Sequence, residues 1–193
     1  MTHFYIPTQI TEHTVFNEVT GHDSIGWNFT NTITQNNHAS SKEPLYTISG
    51  LWMEKFLSNT SELWCTGLNI PDNGLPVIGI ELYLDVRRLS RIEDLRIQLI
   101  NINSDNVYLG DNQASPVDPV QSNMYTGDNS PLLPLIGDTH VYGGSNNMWG
   151  TTLTSTDIAN SSFGFAISFR SNQVYPHRDL VLLNQIGLGI TYG

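Results

Sequence analysis

From Ile78 onward, Ile78, Ile80, Leu82, Leu84 and Val86 fall on one parity, and Gly79, Glu81, Tyr83, Asp85 and Arg87 on the other. Strict alternation over that length predicts a strand with one buried and one solvated face, because successive side chains in a strand point to opposite sides. On a helix the same apolar positions would spread around the whole circumference. Beyond Arg87-Arg88-Leu89-Ser90-Arg91 the alternation resumes, with Leu95, Ile97 and Leu99 set against Asp94, Arg96 and Gln98. Two alternating runs joined by a short polar connection read as an antiparallel hairpin whose apolar face other strands must cover. Just before it, Asn69 to Pro76 combines Pro71, Pro76 and Asp72-Asn73-Gly74, which predicts a sharp turn.

The same period recurs near the C-terminus. Phe163, Phe165, Ile167 and Phe169 are predicted inward, and Gly164, Ala166, Ser168 and Arg170 outward. A short capped turn precedes that strand, with Ser155 or Thr154 as the capping residue. In the final strand, Leu180 to Tyr192, Leu182, Ile186, Leu188 and Ile190 share a parity that Asn184 breaks, while Gly187 and Gly189 thin the other face. Residues 1–60 read as short N-terminal strands or a docking arm, with Phe4-Tyr5-Ile6, Thr14-Val15-Phe16 and Ile25 to Phe29 as strand candidates. Leu51 to Leu57 fits a strand or a short helical turn, and Leu63 to Leu68 leads into the central pair. Trp52 and Trp64 are expected as core anchors, because large aromatics dominate sandwich cores. Residues 111–140 carry Pro116, Pro119, Pro131 and Pro134 and no periodic apolar pattern, which predicts a long loop insert. The sum is all-β: one domain over residues 1–193, a single antiparallel β-sandwich of jelly-roll type with long loops.

Charged residues make up only 13% of the chain, with Gly, Asn, Ser and Thr in their place, which favours strands and polar turns over helices. The net charge of -10 argues against nucleic acid and against anionic membrane surfaces as partners. Cys65 is the single cysteine, so no internal disulfide framework is available. The first residues have neither a basic region nor an apolar run, the expectation for a chain without a secretory signal. Four arginines, Arg87, Arg88, Arg91 and Arg96, cluster around one turn, whereas the stretch from Ile97 to Phe169 has no Lys or Arg and many aspartates. Two readings stand: a solvated turn, or a basic edge meeting the acidic region of a neighbouring copy.

Signals for chemistry are weak. No nucleophile elbow, phosphate-cradling loop, paired-cysteine knuckle or His-Glu-x-x-His motif occurs. Asn101-x-Asn103-x-Asp105 has the start of a calcium loop, but Asn106 and Asn112 stand where Gly and Glu are needed, so no metal is assigned. The histidines at His3, His13, His22 and His38 lack ligand spacing. Glu81 and Asp85 share a face but are about 13 Å apart along a strand, too far for a glycosidase pair. Neither an enzyme nor a cofactor site is expected.

Several short segments occur in a recognisable order: Ile70-Pro71, Gly79-Ile80-Glu81, the Tyr-Gly-Gly-Ser to Trp-Gly loop from Tyr142 to Gly150, Asp157 to Gly164, and Ile186 to Tyr192. This order resembles a family of phage- and prophage-encoded β-sandwich virion proteins, over the part of the chain from Gly67 to the C-terminus. The resemblance implies a non-catalytic virion component made in the host cytoplasm, docked on capsid or tail as a decoration or accessory. Its implied partners are other virion proteins, with the chain itself a homo-oligomer or present in symmetric copies. Candidate interaction residues are Tyr142 and Trp149, as aromatic hot spots, and Arg87, Arg88 and Arg91. For Trp149 a core plug beneath the loop is an equal alternative. A second functional reading is a carbohydrate- or receptor-binding adhesion module on a phage tail, which exposed Trp52, Trp149 and Tyr175 in one groove would support.

Overall fold

In a computed structural model, residues 1–14, 16–17, 22–23, 45–48, 59–88, 92–114, 136–171 and 180–193 are described. The strands are β1 (Thr2–Tyr5), β2 (Gln9–His13), β3 (Phe16–Asn17), β4 (His22–Asp23), β5 (Leu45–Ile48), β6 (Glu62–Thr66), β7 (Val77–Arg88), β8 (Ile92–Asn101), β9 (Tyr108–Leu109), β10 (Ile136–Gly144), β11 (Phe163–Ser171) and β12 (Leu180–Tyr192). One short helix, α1 (Ser155–Ala159), precedes β11. The first sheet runs β5-β12-β7-β10, with β1 extending it beside the other end of β12. The second runs β2-β6-β11-β8-β9. Every pairing in both sheets is antiparallel.

The pairings nest: β8 with β9, β7 with β10, β6 with β11 and β5 with β12. That is a long hairpin with β8–β9 at its tip, rolled so that successive strands change sheets, and it is the jelly roll. Among the described residues, β3 and β4 pair only with each other.

Rolling corrects the expected hairpin. β7 and β8 do not pair: β7 lies between β12 and β10, and β8 lies between β11 and β9 in the opposite sheet. Ile80, Leu82 and Leu84 join Ile97, Leu99, the inward residues of β11, and Leu188 and Ile190 in one buried cluster. Each fully buried side chain of this size contributes about 1.5–3 kcal/mol. Alternation specified the apolar face of each strand but carried no information about its neighbour.

Three bulges correct the predicted parities. Tyr192 and Thr191 lie opposite Val77 and Gly79, so Ile78 is an extra residue. Val77 turns inward and Ile78 is 38% exposed. Leu95 is extra between the partners of Ser168 and Phe169, which places Asp94 opposite Phe169 and buries it. Asn184 is extra between Leu183 and Gln185, and Leu183 is buried. A bulge bends its strand and resets the alternation by one residue.

The long insert is also shorter than predicted, since Ile136 to His140 belong to β10. Its start is tied down, with Asn112 Oδ1 accepting from the Ile97 and Ala114 amides at 2.8 and 3.1 Å. Pro116, Pro119, Pro131 and Pro134 lie outside the described residues, as do Trp52, Tyr175, Arg91 and the segments Ile25 to Phe29 and Leu51 to Leu57. Thr154 is the cap of α1: its hydroxyl accepts from the Asp157 amide, while the Asp157 carboxylate accepts from the Thr154 amide at 2.8 Å. The Thr154 hydroxyl, which also donates to the Asp157 carboxylate at 2.7 Å, and then the Thr154 amide hold the Asp157 carboxyl below the usual range. Among the described residues no helix is long and apolar enough to cross a membrane.

Candidate functional site

Trp149 and Tyr142 are not available to a partner. Trp149 is 0% exposed and Tyr142 is also buried, so the aromatic hot spots predicted there are corrected to core positions. The indole Nε1–H of Trp149 donates to the Ile80 carbonyl at 2.9 Å. Asn147 then clasps the same strand, its carbonyl accepting from the Ile80 amide at 2.9 Å. Two glycines make this possible. A Cβ at Gly79 would run into the Ser145 backbone, and one at Gly143, where φ is +85°, would strike the Ile80 carbonyl and the Trp149 ring. The segments that carried the virion resemblance, Gly79-Ile80 and Tyr142 to Gly150, are therefore a lock between β7 and the loop after β10. They specify closure of the sandwich.

Arg87 and Arg88 lie in β7, an interior strand, opposite Gly137 and Ile136 of β10, so they are not on a sheet edge. The Asn101 side chain, the first of the would-be calcium residues, accepts from the Asn103 amide at 3.1 Å and lies 2.7 Å from the Ser162 hydroxyl. It organises a turn. No group of three or more His, Cys, Asp or Glu side chains among the described residues could hold a metal ion. Burial pushes the Cys65 thiol far up, which leaves it un-ionised and inert as a nucleophile. Glu81 accepts from the Tyr83 hydroxyl at 2.9 Å on the outer face of the first sheet.

The second sheet's outer face is built differently. Among the described side chains, its central strand, β11, presents Gly164, Ala166 and Ser168 there. Register places Ala166 between Trp64 of β6 and Gln98 of β8, and Ser168 beside Arg96. Small residues on a central strand leave room above them. Larger side chains from β6, β8 and β9 lie down into it, so that Ala166 and Ser168 are 0% exposed although they face outward.

Glu62 is the centre of that layer. Its Oε1 accepts from Arg96 Nε at 2.5 Å, and its Oε2 accepts from the Tyr108 hydroxyl at 2.6 Å and from Trp64 Nε1 at 3.1 Å. Arg96 also donates from Nη1 to Gln98 Oε1 at 2.7 Å, and Gln98 donates to the Gly110 carbonyl at 2.7 Å. The guanidinium carbon stands 4.1 Å from the centroid of the Tyr108 ring. Tyr108 meets Trp64 edge-on at 6.3 Å, and His13 of β2 stacks on Trp64 at 3.6 Å. Burial, and then the Glu62 carboxylate that accepts its hydrogen bond, push the Tyr108 phenol up to about 12, so it remains a donor throughout the physiological range.

The result is a cluster of part-buried aromatic rings on the outer face, with His13 stacked on Trp64, Tyr108 standing edge-on to Trp64 at 83° and Arg96 over the Tyr108 ring, all underpinned by a buried carboxylate. Trp64 is corrected from core anchor to a part-buried position on the outer face of the second sheet. Sequence reasoning also missed Glu62 and Tyr108 as members of one site. Two signals for it were present: the run of small outward residues in β11, and the Glu62-x-Trp64 and Arg96-x-Gln98 pairs at strand spacing.

No family model matches this chain, and no curated protein does. Among solved structures, one described as "CBM4 structure and function" is similar over 78% of this chain and 85% of its own length, at 13% identity and a TM-score of 0.38.

Proposed function

We propose that this protein is a non-catalytic binding module that takes carbohydrate on the outer face of its second sheet. The observation that carries this reading is the Trp64–Glu62–Tyr108–Arg96 cluster. A pyranose ring has an apolar face of C–H groups and a rim of hydroxyls. It therefore suits a surface where aromatic rings lie beside fixed, planar polar groups. Here the rings are held before any ligand arrives. The Trp64 and Tyr108 donors are both fixed on Glu62, so little ordering cost remains to be met on binding. Affinity electrophoresis and calorimetry against a panel of soluble polysaccharides test it. Wild type is retarded by at least one, and Trp64→Ala loses that retardation. No retardation across neutral and anionic polymers alike would sink the reading.

A second reading, docking on capsid or tail as a virion accessory, is supported by the motif order and by an exposed row on the opposite face. Phe4, 56% exposed, meets Tyr83 edge-on at 4.8 Å, and Val141, opposite Tyr83 in register, is 49% exposed. That row is an apolar strip suited to a protein partner. Its test is whether the protein is present at stoichiometric copy number in purified particles. Sub-stoichiometric presence argues against it.

A further inference from the structure

From the way charge is distributed in the same cluster, we infer that this face selects uncharged polysaccharides and rejects anionic ones. The inference rests on the carbohydrate reading above. An aromatic surface bearing an arginine would ordinarily be matched to a carboxylate or sulfate on the ligand, because the guanidinium fork pairs with such groups. Arg96 is the cationic member of this cluster, and its charge is already answered. Its Nε–H is directed at Glu62 Oε1, its Nη1 at Gln98 Oε1, and its flat face at the Tyr108 ring. Glu62 is buried beneath, so an incoming anion meets a guanidinium and a carboxylate together, and attraction and repulsion offset.

Geometry reinforces this. The Arg96 side chain is 30% exposed, so its unused N–H groups reach solvent and can donate to hydroxyls. A uronate that reached those remaining N–H groups would still stand beside the Glu62 carboxylate, whose charge Tyr108 and Trp64, as neutral donors, do not cancel. The chain as a whole repels polyanions, with a net charge of -10. Neutral glycans meet none of these penalties.

The test compares a neutral glucan and a galactomannan with polygalacturonate and alginate, measured by calorimetry at low and high salt. Wild type is expected to bind a neutral polymer at least about tenfold more tightly than either anionic one, with an affinity that salt does not change. Glu62→Gln removes the countercharge and leaves Arg96 in place, so it should gain about tenfold or more for polygalacturonate. Wild type preferring the uronate polymers, or a Glu62→Gln protein that melts cooperatively yet gains nothing, would overturn the inference and leave carbohydrate binding intact. Should Glu62→Gln fail to fold, the wild-type ranking decides alone. If no polymer of either class binds, the carbohydrate reading falls and this inference falls with it.

Discussion

Two tryptophans in this molecule have the same hydrogen-bonding need and meet it in opposite ways. Trp149 points its Nε1–H at the backbone carbonyl of Ile80, inside the core, in a residue held at a φ of 55°. Trp64 points its own at the carboxylate of Glu62, on the outside of the other sheet. A backbone carbonyl in the core has few other donors within reach, so the first contact fastens the fold. The carboxylate is shared among three donors from β6, β8 and β9, so the second contact organises a surface. The lesson concerns what the ring leaves free. Trp149 leaves nothing, whereas Trp64 remains part-exposed on the outer side of its sheet.

Substitutions can break this contrast in order of expected size. Trp149→Ala removes a fully buried ring and its donor, and should lower unfolding stability by about 3–5 kcal/mol in denaturant titration. If it costs no more than Trp64→Ala, the distinction between plug and platform is wrong. Trp64→Ala should weaken glycan binding by about 2 kcal/mol, roughly thirtyfold in Kd, while shifting the melting midpoint far less than Trp149→Ala does. Gly79→Ala, which drives a methyl into the Ser145 backbone, should cost about 1–3 kcal/mol of stability and leave binding on the distant sheet unchanged.

Smaller effects sharpen the picture. Thr154→Ala in the loop region should cost about 1 kcal/mol by removing the cap of α1. The depressed Asp157 carboxyl contributes stability that is present above its ordinary value of 3.8 and is lost as pH falls through its folded value, so the variant's deficit should shrink in acid. At the platform, Tyr108 titrates late. Its folded value is raised from 10.0 to about 12, so its contribution is complete below pH 10 and is lost as pH rises through 12. Phenolate absorbance should detect this, and Glu62→Gln should bring the titration only part of the way back, because burial is the larger cause.

Much of the fold was written locally. Alternation marked β7 and β11 and their apolar faces, and Ile80, Leu82, Leu84 and the Phe163 to Phe169 set are buried as their parity required. The small residues of β11 and the polar pairs flanking Trp64 were equally readable, yet no local rule says that their strands are neighbours.

Pairing was decided only in three dimensions. A period of two fixes which side of a strand is apolar, and it holds whether the next strand lies alongside or across the core. β7 and β8 took the second course. The bulges at Ile78, Leu95 and Asn184 each put the residues before them out of step with the parity of those after, so Val77, Asp94 and Leu183 turn inward, and they depend on matching a partner strand that the local pattern cannot see. The platform has the same origin. Arg96 and Tyr108 sit on paired strands, and Glu62 meets them from the far side of β11, whose outward side chains are too small to keep them apart.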